Sequence, residues 1–304
     1  MSTIRVIVPA SSANLGPGFD ALGLALDIYN EVEASLSDHP RLTVHGEGEG
    51  LLPEDEENLV YRAARAVADA AGAEVAFCLR CWNRIPLGRG LGSSAAAIVG
   101  GMVAANELLG RPLGRSRLAS LATRLEGHPD NVVPALVGGM TAAVVEDGAA
   151  HWVRLPVREF PAAVVAIPEF EVPTPLARQQ LPARVPREDA VFNVGRTALL
   201  VGALVARRWD LLGIATEDRL HQPYRKPLVP GFEDVCAAAR KAGALGVALS
   251  GAGPSLLAFA PLPQASQVAE AMQAAFTGHG VRARTVVAQV DLEGTRVQAH
   301  ALRR

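Results

Sequence analysis

A glycine-rich segment followed by two hydroxyl side chains is the part of the sequence best suited to hold a phosphate group. It reads IPLGRGLGSSAAA from Ile85 and joins a strand-like run to an apolar stretch of small residues. Its glycines, Gly88, Gly90 and Gly92, permit positive φ angles and let a ligand approach the backbone without a Cβ in the way. The apolar stretch predicts a helix from about residue 93, whose free N–H groups and dipole favour an anion.

The two hydroxyls, Ser93 and Ser94, have separate tasks in this interpretation. One is placed to cap the helix, and the other to reach a phosphate or Mg²⁺. A plain strand-to-helix turn with a serine cap is the alternative. A Walker A loop is excluded, because its glycines are followed by Lys-Ser/Thr, and the two lysines of this chain, Lys226 and Lys241, do not follow such a loop. A dinucleotide fingerprint is excluded as well, because the third glycine is missing at the required spacing.

Polar residues in two other segments could also do chemistry. Asn14 and Asp20 belong to a turn-rich loop after the first predicted strand, which could also be a mere connection. Glu126, His128 and Asp130 converge with an asparagine on a turn bent by Gly and Pro. Taken singly, these three fit a surface carboxylate, a structural histidine and a helix cap.

Two arginines follow in the second half of the chain. Thr174 has the placement of an N-cap, and Arg178 lies one turn later on the same helix face, where its fork can grip a carboxylate. Arg225 is a second candidate for a carboxylate clamp. An ordinary surface arginine is the alternative at both positions.

Composition and charge exclude several classes of protein. The 304 residues are 49% hydrophobic and 20% charged, and the net charge is −2, with both signs spread along the chain. This balance is typical of a globular protein and gives no electrostatic case for nucleic acid or an anionic membrane. We find neither a signal peptide nor an apolar run of about 18 residues that could span a bilayer. We therefore expect a cytoplasmic protein with small-molecule partners.

The three cysteines predict no disulfide and no metal site. Cys78 and Cys81 form a Cys-x-x-Cys, but no second pair follows at zinc-finger spacing, and Cys236 is far along the chain. Within the predicted strand, positions three apart point to opposite faces. Reduced structural thiols are the expected outcome.

The distribution of predicted strands and helices favours an α+β protein with two parts. Strands precede helices in each half, and the segment 156–161, PVREFP, is a plausible boundary. The predicted domains are therefore residues 1–156 and 157–304.

Five blocks, in the same order along the chain, resemble the GHMP kinases. The glycine segment matches Pro-x-x-x-Gly-Leu-Gly-Ser-Ser-Ala-Ala at every position, and the other four are PASSANLGPGFD from Pro9, EGHPDN from Glu126, TPLAR with HQPYR, and GAGPS from Gly251. The block from Pro9 is similar to the signature of the homoserine kinase branch. The resemblance implies a two-domain fold, with an N-terminal domain like ribosomal protein S5 and a C-terminal ferredoxin-like domain.

The same resemblance implies which residues bind ATP and Mg²⁺. Asn58 would lie near the adenine, although a helix cap is an equal alternative for it. Glu126 would hold Mg²⁺ together with Ser94 or Ser93. The remaining ATP contacts would come from the glycine segment and the second glycine turn: Pro86, Leu87, Gly88, Arg89, Gly90, Leu91, Gly92, Ser93, Ser94, Ala95, Ala96, Gly251 and Gly253.

The implied reaction is transfer of the γ-phosphoryl group of ATP to the side-chain hydroxyl of L-homoserine, on the route to threonine. Arg178 and Arg225 would clamp the substrate carboxylate, while Asp20 would pair with its ammonium group. Asn14, His128 and Thr174 complete the expected substrate site. Glu126, Ser94 and the two arginines are the expected catalytic residues, and no side chain stands out as a catalytic base.

Two alternatives remain at this point, and both keep the nucleotide site. One is another small-molecule kinase of the superfamily, such as a mevalonate-type enzyme; the other is an ATP-binding relative without catalysis. Members of the family often form dimers, so a homodimer is a further expectation.

Overall fold

Two β-sheets with helices packed against them form the fold. A computed structural model describes residues 3–299. Its strands are β1 (Ile4–Ala13), β2 (Leu22–Ser37), β3 (Arg41–Gly46), β4 (Ala76–Asn83), β5 (Met140–Glu146), β6 (Ala149–Arg154), β7 (Ala162–Pro168), β8 (Gly246–Leu249), β9 (Leu256–Ala260), β10 (Ala283–Ala288) and β11 (Arg296–Ala299).

Ten helices pack against the sheets and against one another within the described residues. They are α1 (Leu59–Ala71), α2 (Ser93–Leu108), α3 (Arg115–Glu126), α4 (Pro129–Val137), α5 (Thr174–Gln179), α6 (Arg187–Val205), α7 (Leu212–Ala215), α8 (Gln222–Arg225), α9 (Phe232–Lys241) and α10 (Ala265–Gly278). Short 3₁₀ turns lie at Trp209–Leu211, Lys226–Leu228 and Leu262–Gln264. No helix within residues 3–299 is long and apolar enough to cross a membrane.

The first sheet has seven strands and is mixed. Its order is β11-β1-β2-β4-β3, and the hairpin β5–β6 joins through β2. All its pairs are antiparallel except β3 with β4. The division at residue 156 assigns β11 to the second domain, whereas this strand pairs with β1 of the first sheet. The segment 296–299 thus packs onto the first sheet, and residues 300–304 lie outside the described part.

The second sheet has four antiparallel strands in the order β10-β7-β9-β8. Helices separate β7 from β8, and α10 separates β9 from β10. This order and connectivity are those of a ferredoxin-like domain. The predicted α+β fold with two sheets is confirmed.

Small residues explain how closely α2 lies against its neighbours. The helix is almost entirely buried, and its sequence, SSAAAIVGGMVAANEL, presents little bulk on any side. A Cβ on Gly101 would lie 2.1 Å from the carbonyl oxygen of Val60 in α1. A larger residue there would push α1 and α2 apart. The first turn of α2 therefore has a fixed position relative to α1 and to the sheet.

Two local expectations differ from the structure. β1 continues through Ala13, into the segment expected to be a loop. Helix α4 was not predicted, because Pro129 and Pro134 interrupt its pattern, although Pro129 occupies the first helical turn, where proline is tolerated. Cys78 and Cys81 both lie on β4, where Cys81 is buried and Cys78 is half-buried.

Candidate functional site

A cleft of about 470 Å³ collects nearly all the residues singled out in the sequence. It is lined by the glycine segment before α2, the junction of α3 and α4, the start of α5, α8 and the second glycine turn. Three expected ATP contacts are not among the lining residues. Ala95 and Ala96 are fully buried in the core, and Gly253 lies behind the second turn.

The glycine segment has the backbone geometry that a phosphate site requires. Gly88, Gly90 and Gly92 have φ angles of 62°, 71° and 68°. A Cβ on Gly90 would lie 2.2 Å from the carbonyl oxygen of Ser250, so no larger residue fits. Because α2 begins with Gly92 as its N-cap and no side chain caps it, its first N–H groups remain available to an anion. The expectation that a serine caps this helix is wrong.

Ser94 instead donates a hydrogen bond of 2.6 Å to Oε1 of Glu126, the last residue of α3. Burial raises the pKa of Glu126 above its usual value, and the nearby charge of Asp130 adds to the rise, although the Ser94 bond and His128 oppose it. The charged form of the Glu126 carboxylate is therefore only partly stabilised by its neighbours. A hard cation would stabilise its charged form, and carboxylate and hydroxyl oxygens suit Mg²⁺.

His128 forms a close pair with Asp130 at the start of α4. Nδ1 of the imidazole lies 2.6 Å from Oδ1 of the carboxylate, which is buried. Burial alone would lower the pKa of His128, but the hydrogen bond and charge of Asp130, aided by Glu126, outweigh it and raise the pKa. The imidazole is thus biased toward its charged form in the cleft.

The second glycine turn is held directly against the first. Ser250 Oγ donates to the carbonyl of Gly90 at 2.7 Å, and the N–H of Gly251 donates to the carbonyl of Ala13 at 3.1 Å. Gly251 and Gly253 have positive φ angles, as expected. The two glycine turns, from different domains, therefore support one another's backbone.

Arg89 connects the glycine segment to the second sheet. Its guanidinium donates to the carbonyls of Leu87, Pro168 and Glu169 and pairs with Glu171 at 3.3 Å. All these acceptors belong to the protein. Arg89 therefore fixes the loop, and because it also lines the cleft, its contact with ATP stays a prediction.

Asp20 and Arg178 form a bidentate pair in the same cleft. The two hydrogen bonds measure 2.7 and 3.0 Å. Asn14 orients this region, because its Oδ1 accepts the N–H of Asp20 and its Nδ2 donates to the carbonyl of Gly251. With both polar atoms of its side chain engaged by backbone, Asn14 positions its neighbours and has less capacity to bind a ligand than expected.

Arg225 is not the surface arginine that was the alternative interpretation. It is only 2% exposed, and burial, with the charge of Arg178, lowers its pKa to about 10. Its Nη1 donates to the carbonyl of Gly251 at 3.2 Å, while its buried Nε has no partner within residues 3–299. A buried guanidinium with unused donors is suited to an anionic ligand.

Comparison with known proteins agrees with this geometry. Residues 58–139 match the GHMP kinases N terminal domain, and residues 200–278 match GHMP kinases C terminal. A homoserine kinase of Moorella thermoacetica is 50% identical over 91% of this chain and 94% of its own. One from Carboxydothermus hydrogenoformans is 47% identical over 96% of this chain and 95% of its own.

The chain belongs to the homoserine kinase family of GHMP kinases. The crystal structure of the homoserine kinase from Cytophaga hutchinsonii superimposes with a TM-score of 0.91 at 36% identity, covering 97% of both chains. The protein is therefore a kinase with the two-domain GHMP fold.

Two further expectations about this homoserine kinase family member are resolved by local geometry. Thr174 is the first residue of α5, and Pro173 occupies the N-cap, so the expectation that Thr174 caps the helix is wrong. Thr174 still lines the cleft, one turn before Arg178. Asn58 is the N-cap of α1, with Oδ1 accepting the N–H of Val60 at 2.9 Å, and it also lines the cleft. Its two interpretations are thus compatible.

Two asparagines contribute to the site although the sequence analysis assigned them no role. Asn131 accepts a hydrogen bond of 2.9 Å from Ser11, beside Gly92. Asn30 accepts the N–H groups of Arg84 and Ile85 and so fixes the entry to the glycine segment. Asn131 could have been found, since it ends the EGHPDN block. Asn30 carries no signal, because it is one polar residue inside a strand.

Proposed function

We propose that this protein transfers the γ-phosphoryl group of ATP to the side-chain hydroxyl of L-homoserine, giving O-phospho-L-homoserine. The names of its relatives support this reaction. The observation that carries it is the charge arrangement at the cleft, where Arg225 and Arg178 both lie near the carboxylate of Asp20. Such a set can receive both ends of a zwitterionic amino acid, while a neutral sugar would leave the buried Arg225 without a partner.

The phosphates would lie on the glycine segment and the first turn of α2. Gly90 and Gly92 bring the backbone close to the ligand, and the free N–H groups of α2 point along the helix dipole. The apolar side of the cleft, which includes Val44, Leu52 and Leu59, would accept the base. In this arrangement the transferable phosphate would lie near the α3–α4 junction.

Mg²⁺ would be held by Glu126 and Ser94. Their oxygens lie 2.6 Å apart, and the raised pKa of Glu126 is the signature of a carboxylate without sufficient compensation. When bound, the ion supplies positive charge against the phosphate oxygens. The remaining ligands of the ion would come from nucleotide oxygens and water.

Positioning and charge neutralisation would do most of the catalytic work. Arg178 and Arg225 would hold the substrate carboxylate, and Asp20 its ammonium group, so that the hydroxyl is aimed at the γ-phosphorus. His128 would approach the substrate with its charge stabilised by Asp130. The cytoplasm as compartment and a homodimer as assembly stay predictions.

A coupled ADP-release assay tests the proposal. Purified protein with Mg-ATP is compared on L-homoserine, L-threonine, L-serine, mevalonate and galactose. We expect turnover at least about 100-fold faster in kcat/KM with L-homoserine, because the other substrates misplace the hydroxyl or lack a charged end. Preference for mevalonate or galactose would contradict the roles of Asp20, Arg178 and Arg225. A protein that binds ATP but turns over none of these compounds would refute the proposed reaction.

A further inference from the structure

A fully buried histidine, His221, lies directly behind Arg225. It is 0% exposed and precedes helix α8 by one residue. The Asp218 carboxylate, also buried, accepts the N–H groups of His221 and Gln222 at 3.0 and 2.6 Å, and the Nδ2 of Asn193 at 2.7 Å. These hydrogen bonds fix the backbone at His221 independently of the contacts that its side chain makes.

The hydrogen bonds of the imidazole define its protonation. Nε2 lies 2.7 Å from the carbonyl oxygen of Gly16, which can only accept, so Nε2 carries the proton. Burial, assisted by the charge of Arg225, lowers the pKa of His221 and keeps the ring neutral despite Asp218. Nδ1 is consequently an acceptor with a free lone pair.

That lone pair faces the guanidinium of Arg225. Nη1 lies 3.4 Å from Nδ1 of His221, a long contact that is supplemented by the bond to the carbonyl of Gly251. Phe19 packs against both groups, since its ring stacks on His221 at 5.2 Å and lies 5.1 Å from Cζ of Arg225. His221 thus contacts three elements of the substrate end: Arg225, the Phe19 ring and the Gly16 backbone.

We propose that His221 is a positioning residue for the substrate carboxylate, acting through Arg225. This rests on the proposed function, since it takes Arg225 as the carboxylate ligand. Its neutral Nδ1 accepts from Nη1 and leaves the remaining donors of Arg225 directed to the ligand. A protonated ring would present a donor and a positive charge to a guanidinium, so the fixed tautomer is part of the arrangement.

Three substitutions separate this role from simple packing. The amide oxygen of H221N can occupy the place of Nδ1, whereas the amide of H221Q can reach the place of Nε2 and keep the tether to Gly16. H221F retains the stacked ring and loses both polar contacts. We expect the homoserine KM of H221N to stay within about 3-fold of wild type, and that of H221Q and H221F to rise about 10-fold or more, with the ATP KM unchanged.

A substrate without a carboxylate gives the decisive comparison. 3-Aminopropan-1-ol keeps the ammonium and the hydroxyl of homoserine and removes its carboxylate. The wild-type enzyme should prefer homoserine strongly in kcat/KM, and H221F should lose about 10-fold or more of that preference, because only carboxylate recognition is weakened. General damage to the fold would lower both substrates alike.

The exposed His279, which pairs with Asp234 at 2.7 Å, provides a matched control, and H279F should behave as wild type. An H221F enzyme with unchanged preference, or an H221Q enzyme that behaves better than H221N, would overturn the inference. If H221F does not fold, the comparison of H221N with H221Q decides. A wild-type enzyme without homoserine turnover would refute the proposed function first.

Discussion

Asp20 and Arg178 lie 158 residues apart in the chain and meet through two hydrogen bonds, of 2.7 and 3.0 Å. Asp20 has a positive φ of 55°, and its N–H donates a hydrogen bond to Oδ1 of Asn14. The two groups proposed to receive opposite ends of a zwitterion are thus in direct contact with each other. The contact also connects the first domain to α5 of the second.

Asp20→Asn tests this pair. We expect the homoserine KM to rise about 10- to 100-fold, because a charged acceptor for the ammonium group is lost and Arg178 loses its partner. The ATP KM should change little, since Asp20 is proposed to contact only the amino acid. Steady-state kinetics with each substrate varied in turn measures both. Asp210→Asn, which breaks an exposed Asp–Arg pair with Arg208, is the matched control and should leave both constants unchanged. An unchanged homoserine KM in Asp20→Asn would contradict the proposed contact between Asp20 and the ammonium group.

Glu126→Gln tests the metal ligand. We expect kcat to fall about 10²- to 10³-fold with nucleotide binding largely kept. The wild-type rate should also decline on acidification at a higher pH than an ordinary glutamate would give, because burial raises the pKa of Glu126. Excess Mg²⁺ should move that decline to lower pH, as the ion competes with the proton. A pH–rate profile that does not change with Mg²⁺ concentration would argue against Glu126 as a ligand of the ion.

Glu126→Gln should also change the stability of the protein, in a way that depends on pH. The folded-state pKa of Glu126 lies above the unfolded one, so ionisation disfavours folding once the pH has risen through both values. Without Mg²⁺, Glu126→Gln should therefore raise the melting temperature near pH 8 and leave it almost unchanged at pH values below both pKa values. Thermal melts in the presence of a chelator measure this difference. A lowered melting temperature at pH 8 would contradict it.

Gly90→Ala tests the close approach of the two glycine turns. A positive φ alone costs about 1–2 kcal/mol for a residue with a Cβ. The added carbon would also lie 2.2 Å from the carbonyl oxygen of Ser250. Gly110→Ala has the same sign of φ and no atom within 4 Å, so it isolates the conformational part. We expect Gly90→Ala to lose more unfolding free energy than Gly110→Ala and to weaken ATP binding, as denaturant titration and nucleotide titration would report. Equal losses in the two variants would count against a rigid contact between the turns.

Arg225→Met tests whether this arginine serves the ligand or the fold. We expect the homoserine KM to rise at least about 30-fold, because a buried charged hydrogen-bond partner is removed. Burial lowers the pKa of Arg225 to about 10, below its unfolded value, so the charged form disfavours folding at every pH below about 10. The melting temperature at pH 7 should therefore stay equal or increase. A protein that melts earlier while keeping its homoserine KM would show that Arg225 is structural.

The parts of the site that follow local rules could be predicted from the sequence. Gly88, Gly90 and Gly92 indicated positive φ angles before an apolar helix, and the structure has both. Caps were less predictable, because the N-cap of α2 is a glycine and that of α5 is Pro173, while Ser94 donates to Glu126 instead. The residue that caps a helix changes whenever the helix begins one residue earlier or later.

Features set by contacts distant in sequence could not be predicted. The sequence around Arg225 does not indicate that it is buried, since two of its contacts, Gly251 and Phe19, are distant in the chain. The hydrogen bonds of Arg89 are a second case, because its guanidinium donates to the carbonyls of Pro168 and Glu169 in the second domain. The same holds for β11, whose partner is the first strand of the chain.

The pairing of β11 with β1 brings the two ends of the described chain to neighbouring strands. Because β11 runs antiparallel to β1, Ile4 lies opposite Ala299, at the spacing of neighbouring strands. A short linker in place of the last residues could join the two strands as a hairpin and close the backbone into a ring. New ends could then be opened at the exposed turn between β5 and β6, around Asp147 and Gly148, which lies outside the cleft lining. A circular permutant of this kind would keep both sheets intact.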